Sequence, residues 1–115
     1  MTLTIFHNPR CSKSRQTLQI LENRGLKPTI IEYLKAPLSE GELVDILNKL
    51  NLKPRELLRK GEKAYKELGL SNPDLDDKQL ITAMIENPVL IERPIVLSPK
   101  GARIGRPPES IVEIL

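Results

Sequence analysis

The chain has 115 residues, of which 39% are hydrophobic, 29% charged and only 3% aromatic. This composition is typical of a folded globular protein with an aliphatic core, and the length suits a single domain over residues 1–115. It disfavours a base-stacking nucleic-acid binder, which needs aromatic platforms, and the net charge of +3 suits small anions better than DNA.

The first third of the chain predicts a βαβ unit. An apolar run over residues 3–6 predicts a buried strand, and the dipeptide Asn8–Pro9 ends it. A helical pattern follows with Gly25 at its stop position, and a β-branched run over 28–34 predicts a second strand. Two strands joined by one helix in this way should lie parallel, with a right-handed crossover.

The middle of the chain, residues 38–88, is predicted to be helical. Ser39 and Glu42 have the spacing of a capping box, and apolar residues follow at helical intervals. Pro54 suits the first turn of a short helix, and Pro88 ends the last helical pattern of this region.

Strand signals return near the C-terminus. The runs PIVL (94–97) and ARIG (102–105) flank the turn SPKG, which predicts an antiparallel hairpin. The final RPPESIVEIL predicts a helix started by its prolines. The whole order is β-α-β, then helices, then β-β-α. It predicts an α/β protein of the thioredoxin-like fold, with a helical insertion at about 38–88 between the two halves.

The only cysteine and the only histidine lie four residues apart in the stretch FHNPRCSKSR. Cys11 falls at the start of the first predicted helix, where unpaired amide groups and the helix dipole lower the pKa of a thiol. A protonated His7 nearby would add to this effect, and Arg15 brings further positive charge. A lone cysteine is more often a small buried hydrophobe, but this polar, basic turn favours an activated nucleophile.

Two familiar cysteine sites fail on spacing. A C-x-x-C motif needs a second cysteine at position 14, which is Ser14, and a cysteine phosphatase loop needs an arginine at position 17, which is Thr17. A monothiol mechanism remains, and any disulfide must form with a thiol from another molecule. One cysteine and one histidine are too few ligands for structural zinc, so we expect no metal and no bound cofactor.

The sequence also predicts a cytoplasmic location. No apolar run approaches the length of a membrane span, and the N-terminal MTLTIFHNP lacks the charged start and apolar stretch of a signal peptide. A single cysteine is consistent with a reducing compartment. We expect a monomer that binds neither nucleic acid nor membrane.

Four motifs occur in order along the chain: FHNPRCSKSR (6–15), ELLRK (56–60), ERPIV (92–96) and GRPPE (105–109). Together they resemble the glutaredoxin-dependent arsenate reductases, the ArsC family, and most of all its short, arsenate reductase-like branch. The resemblance extends over essentially the whole chain and implies the same thioredoxin-like fold.

The resemblance also implies a function and a site. The activity is the reduction of arsenate, or a similar oxyanion, in arsenic detoxification, with glutathione as co-substrate and glutaredoxin as the partner protein. Cys11 is then the nucleophile, and His7 helps to keep it ionised. Three arginines bind the oxyanion: Arg59, Arg93 and Arg106. Planar guanidinium groups suit the oxygens of a tetrahedral anion.

Three further residues join the predicted site. The Ser14 hydroxyl and Arg15 are expected to help hold the oxyanion beside the helix start. Pro94 precedes the third strand, where thioredoxin-like folds place a cis-proline facing the active thiol. We therefore predict a cis peptide bond between Arg93 and Pro94.

Two other functions stay open. The Spx-type transcription regulators share this fold and bind RNA polymerase, but they typically carry a C-x-x-C redox sensor, which Ser14 interrupts. A thiol transferase of the same fold would act on another substrate, such as a glutathionylated protein.

Overall fold

The computed structural model describes residues 3–115, which form two compact units. The first unit joins the N-terminal segment up to Ala36 to the segment Arg93–Leu115, and the second unit is Pro37–Glu92.

The first unit holds all four strands of the described chain. Its elements are β1 (Thr4–Phe6), α1 (Ser12–Asn23), β2 (Thr29–Ile31), β3 (Ile95–Ser98), β4 (Gly101–Ile104) and a 3-10 helix (Pro108–Ile114). The sheet order is β2-β1-β3-β4, with β1 parallel to β2 and antiparallel to β3, and β3 antiparallel to β4. The predicted βαβ unit and C-terminal hairpin are both confirmed, and the fold is thioredoxin-like.

Aliphatic side chains fill the core of this unit, as the low aromatic content predicts. They come from β1 and the residue before it, from α1, from β3 and from the C-terminal 3-10 helix: Leu3, Ile5, Leu21, Val96, Ile111 and Ile114. Burial of such side chains is the main favourable contribution to folding.

Two elements of the first unit differ from their predictions. The strand predicted over 28–34 ends at Ile31, because the backbone turns at Glu32, whose carbonyl accepts the N–H of Lys35 at 2.9 Å. The C-terminal helix is 3-10 throughout, and its first turn closes with a 3.0 Å bond from the Ser110 N–H to the Pro107 carbonyl. A bond of this i→i+3 kind is the pattern of a 3-10 helix.

The second unit is helical, as predicted for the insertion. Its elements are α2 (Glu40–Leu50), α3 (Pro54–Leu57), α4 (Lys63–Glu67), α5 (Asp77–Glu86) and a 3-10 turn (Pro88–Leu90). The predicted capping box of Ser39 and Glu42 is present. Pro88 does end α5, but it also begins the 3-10 turn. Among the residues described, no helix combines the length and apolarity needed to cross a bilayer.

Candidate active site

A tight turn from Asn8 to Cys11 sets the position of the thiol. The Cys11 N–H donates to the Asn8 carbonyl at 3.0 Å, and the Asn8 side-chain oxygen accepts the N–H of Arg10 at 3.0 Å. Cys11 is the N-cap residue of α1. The first N–H groups of the helix, which have no partner within it, therefore point toward its side chain. Asn8 therefore holds the turn before Cys11 in place. The sequence had predicted only that Asn8 and Pro9 end the first strand.

The Cys11 thiol is held in an environment that favours its ionised form. Burial raises its pKa, but hydrogen bonds from the Ser14 N–H, the Arg93 side chain and the Lys13 N–H lower it, as does the charge of Arg93. The net pKa lies below the ordinary value of a cysteine. Because the residue is partly exposed, the resulting thiolate can meet a substrate from solvent.

Arg106 also reaches the thiol. Its Nη2 lies 3.6 Å from the Sγ of Cys11, and its Nε donates to the Arg93 carbonyl at 2.8 Å. The hairpin register explains this proximity, because β3 and β4 pair Ile95 with Ile104. Extending that register two residues beyond the strands sets Arg93 opposite Arg106. Two predicted oxyanion ligands therefore converge on the sulfur.

Close packing beneath Arg106 requires a glycine. The Gly105 N–H donates to the Pro94 carbonyl at 2.9 Å. A Cβ on Gly105 would lie 2.7 Å from Cγ of Pro94 and would also overlap the Thr17 hydroxyl. Sequence reasoning did not single out Thr17 or Gly105 for the site, although the GRP motif places Gly105 directly before Arg106. The Arg93–Pro94 peptide bond is cis, as predicted, and so is Arg106–Pro107.

His7 lies beside the first turn of α1 and is bonded to Ser14. Its Nδ1 lies 2.6 Å from the Ser14 Oγ, which also accepts the Asn8 N–H at 3.0 Å. Burial lowers the His7 pKa, Glu32 raises it and Arg15 lowers it, and the net pKa is below the ordinary value. A neutral imidazole therefore predominates at neutral pH. A contribution of His7 to keeping the thiol ionised stays a prediction; the imidazole bonds to Ser14, the residue whose N–H lies at the sulfur.

The expectation for the Ser14 hydroxyl is corrected. Its side chain has no exposed surface, and Oγ is bonded to both His7 and Asn8. The part of Ser14 that reaches the sulfur is its backbone N–H. Ser14 thus stabilises the thiolate through the main chain, while its hydroxyl is bonded inside the unit, away from solvent.

Arg15 lies on the exposed side of α1. Its Nη1 donates to the Pro9 carbonyl at 2.9 Å, which ties the helix to the turn before Cys11. Direct contact between Arg15 and an oxyanion stays a prediction.

Arg59 belongs to the second unit and is already paired there. Its Nε lies 3.0 Å from Oε1 of Glu62, and its Nη1 lies 2.6 Å from Oε1 of Glu92. A short antiparallel bridge aligns the two chain segments, with the Arg59 N–H donating to the Leu90 carbonyl at 2.8 Å. The role of Arg59 in oxyanion binding stays a prediction.

A metal centre needs several ligating side chains close together. Within residues 3–115, no three side chains of the histidine, cysteine, aspartate or glutamate type come together in a way that could hold an ion.

Comparison with known proteins places this geometry in a family context. Residues 6–114 match the model of the ArsC family. The chain is 49% identical over 112 residues to the uncharacterized protein YfgD of Escherichia coli K12, covering 96% of this chain and 94% of that protein. It is 46% identical over 113 residues to an arsenate reductase of the same organism, covering 98% and 80%. The solved structure of an arsenate reductase from Vibrio cholerae is 49% identical and superposes with a TM-score of 0.97, covering 100% and 98% of the two chains.

Proposed function

The chain belongs to the ArsC family, and on that premise we propose that it reduces arsenate to arsenite with Cys11 as a monothiol nucleophile. Glutathione and glutaredoxin supply the electrons in this proposal. The names of two relatives support the reaction, since an arsenate reductase of Escherichia coli and one of Vibrio cholerae are 46% and 49% identical to this chain over the aligned residues.

One observation carries the proposal: a thiol of lowered pKa at a helix start is contacted by two arginines. Arg106 lies 3.6 Å from the sulfur, and Arg93 both hydrogen-bonds to it and lowers its pKa by charge. The guanidinium groups beside the sulfur can donate hydrogen bonds to the oxygens of a tetrahedral anion whose central atom the thiolate attacks. Charge-assisted bonds to such oxygens are among the strongest that proteins form.

The first step is attack of the Cys11 thiolate on arsenic. A sulfur–arsenic bond forms, and one oxygen of arsenate leaves as water after taking one proton from the arsenate and one from solvent. Arg93 and Arg106 stabilise the negative charge on the remaining oxygens. The neutral His7 holds Ser14 in place, so that the Ser14 N–H remains directed at the sulfur.

The reduction itself comes from two external thiols. The thiolate of glutathione attacks arsenic and displaces a second oxygen, which takes two protons from the adduct and solvent and leaves as water, so that arsenic is bound to two sulfur atoms. The thiolate of glutaredoxin then attacks the glutathione sulfur and forms a mixed disulfide. The electron pair of the arsenic–glutathione bond stays on arsenic, which becomes trivalent. Water then displaces Cys11 and releases arsenite.

A coupled assay tests the proposal directly. Purified protein is mixed with arsenate, glutathione, glutaredoxin, glutathione reductase and NADPH, and the glutathione disulfide that forms is measured by the oxidation of NADPH. We expect arsenate-dependent turnover that C11A abolishes. R103A is a matched control, since Arg103 lies on β4 and pairs with Glu113, and it should retain turnover. Turnover that survives in C11A would refute the assignment.

A further inference from the structure

A cleft with charged and apolar walls borders the turn that carries the thiol. It has a volume of about 270 Å³, and its walls come from the segment before Cys11 and the segment after β2: His7, Asn8, Pro9, Arg10, Glu32, Leu34 and Lys35. Glu32 also influences the pKa of His7, so the carboxylate lies close to the imidazole. The mechanism proposed above assigns no role to Arg10, Glu32, Leu34 or Lys35.

The charges of this cleft form a mixed set. Arg10 and Lys35 are cationic, and Glu32 is anionic, with its Oε1 3.6 Å from the Nζ of Lys35. The side chain of Lys35 is 80% exposed, so its charge is available to a molecule entering from solvent. Leu34 is 43% exposed and adds an apolar surface to the same cleft. Two cations, one carboxylate and an apolar wall match a small zwitterion with two carboxylates and one ammonium group.

The cleft lies within reach of the nucleophile. The bond from the Cys11 N–H to the Asn8 carbonyl closes a turn of four residues, and the ends of such a turn lie within about 7 Å of each other. An extended tripeptide spans about 10 Å. A tripeptide seated against Arg10 and Lys35 is therefore long enough to extend from the cleft to Cys11.

We propose that this cleft is the subsite for the peptide thiol that attacks the arsenic adduct. Its ligand class is a small peptide with two carboxylates, one ammonium group and a central thiol, for which glutathione is the probe. Arg10 and Lys35 bind the carboxylates, Glu32 binds the ammonium group, and Leu34 packs against the peptide stem. The role of this subsite in the reaction rests on the proposed function, but the binding of the peptide to the cleft can be measured without arsenate.

The binding test uses S-methylglutathione, which keeps all three charges but cannot attack arsenic or form a disulfide. In a nuclear magnetic resonance titration of the full chain, we expect chemical-shift changes centred on residues 7–10 and 32–35. K35E should weaken binding about ten-fold, since charge reversal replaces an attraction with a repulsion. K27E is the matched control, because Lys27 is exposed and lies outside the cleft. The diethyl ester of the probe should bind far more weakly.

The kinetic test separates this subsite from the function itself. In the coupled assay, K35E should raise the KM for glutathione by a similar factor and leave the KM for arsenate unchanged. If arsenate is reduced but K35E and K27E behave alike, the subsite is refuted while the function stands. If S-methylglutathione binds the cleft with the expected variant effects but arsenate is not reduced, the binding subsite is supported and the proposed arsenate reductase function is refuted. Shift changes elsewhere on the chain would overturn the subsite.

Discussion

The Nη2 of Arg106 lies 3.6 Å from the Sγ of Cys11, although 95 residues separate them in the chain. The same guanidinium is bonded through Nε to the carbonyl of Arg93, whose own side chain lowers the thiol pKa. Three residues far apart in sequence thus form one connected group around the sulfur. The predictions below test what each part of this group contributes.

Removal of Arg93 should make the thiol less acidic. R93A deletes both a hydrogen bond to the sulfur and a nearby positive charge, and each of these lowers the thiol pKa. We expect the midpoint of iodoacetamide alkylation against pH to rise and the rate at neutral pH to fall several-fold, since the thiolate is the reactive form. R103A removes an arginine from the same hairpin and should leave the curve unchanged. Identical curves for R93A and the unmodified protein would contradict this electrostatic role.

His7 should titrate below the ordinary value of a histidine. An unfolded chain binds a proton on this imidazole near pH 6.5, whereas the folded protein, in which burial lowers the His7 pKa, does so only at lower pH. The unfolded state therefore binds more protons over that interval, and the free energy of unfolding falls as the pH falls through it. Nuclear magnetic resonance titration of the imidazole measures the midpoint directly.

The variant H7Q separates this contribution from those of the carboxyl groups. The stability difference between the unmodified protein and H7Q should shrink as the pH falls from 6.5 toward the folded pKa of His7. A difference that stays constant over this range would mean that folding does not change the His7 pKa.

Gly105 should tolerate no side chain. The methyl group of G105A would lie 2.7 Å from Cγ of Pro94 and would overlap the Thr17 hydroxyl. We expect a loss of about 1–3 kcal/mol in the free energy of unfolding, as for other overpacked sites, together with a raised thiol pKa because Arg106 is displaced. Thermal and denaturant unfolding measure the first effect and alkylation the second.

Two further variants make the Gly105 prediction specific. G61A is the control, because a methyl group at Gly61 meets nothing within 4 Å. The double variant G105A/T17A removes two of the three clashing atoms and should recover part of the lost stability. If G105A were as stable as G61A, the close packing would not be required.

Most of the fold follows from local patterns in the sequence. The β-α-β order, the capping box at Ser39 and the hairpin around SPKG each depend on neighbouring residues, so the sequence is enough to predict them. The predicted second strand was too long because Glu32 accepts a hydrogen bond that closes a turn. Strand propensity does not indicate such a turn. The 3-10 form of the C-terminal helix differs from an α-helix in the i→i+3 spacing of its bonds, which the sequence pattern of so short a segment does not distinguish.

The site was harder to predict, since contacts across the fold decide it. The spacing around Cys11 predicted a helix start and a lowered thiol pKa, and the hairpin register brings Arg93 and Arg106 together. The inward direction of the Ser14 hydroxyl and the neutral state of His7 depend on burial, which spacing does not give. The monomeric state, the cytoplasmic location and the identity of the electron donors stay predictions.

Arg59 should affect arsenate more than the thiol. Its loss in R59A should raise the KM for arsenate about ten-fold or more, as expected for one charge-assisted bond, and should leave the pH dependence of alkylation unchanged. R55A is the matched control, since Arg55 lies in the same unit and donates to the carbonyls of Leu70 and Asn72. Equal KM values for R59A and R55A would remove Arg59 from the oxyanion site.

The thiol titration of the unmodified protein, with and without arsenate, tests the central claim most directly. Alkylation of Cys11 is followed against pH, and then at neutral pH with increasing arsenate. The account predicts a midpoint below the ordinary cysteine value and a rate that falls as arsenate occupies the site beside the sulfur. An ordinary midpoint, with a rate that arsenate does not change, would contradict it.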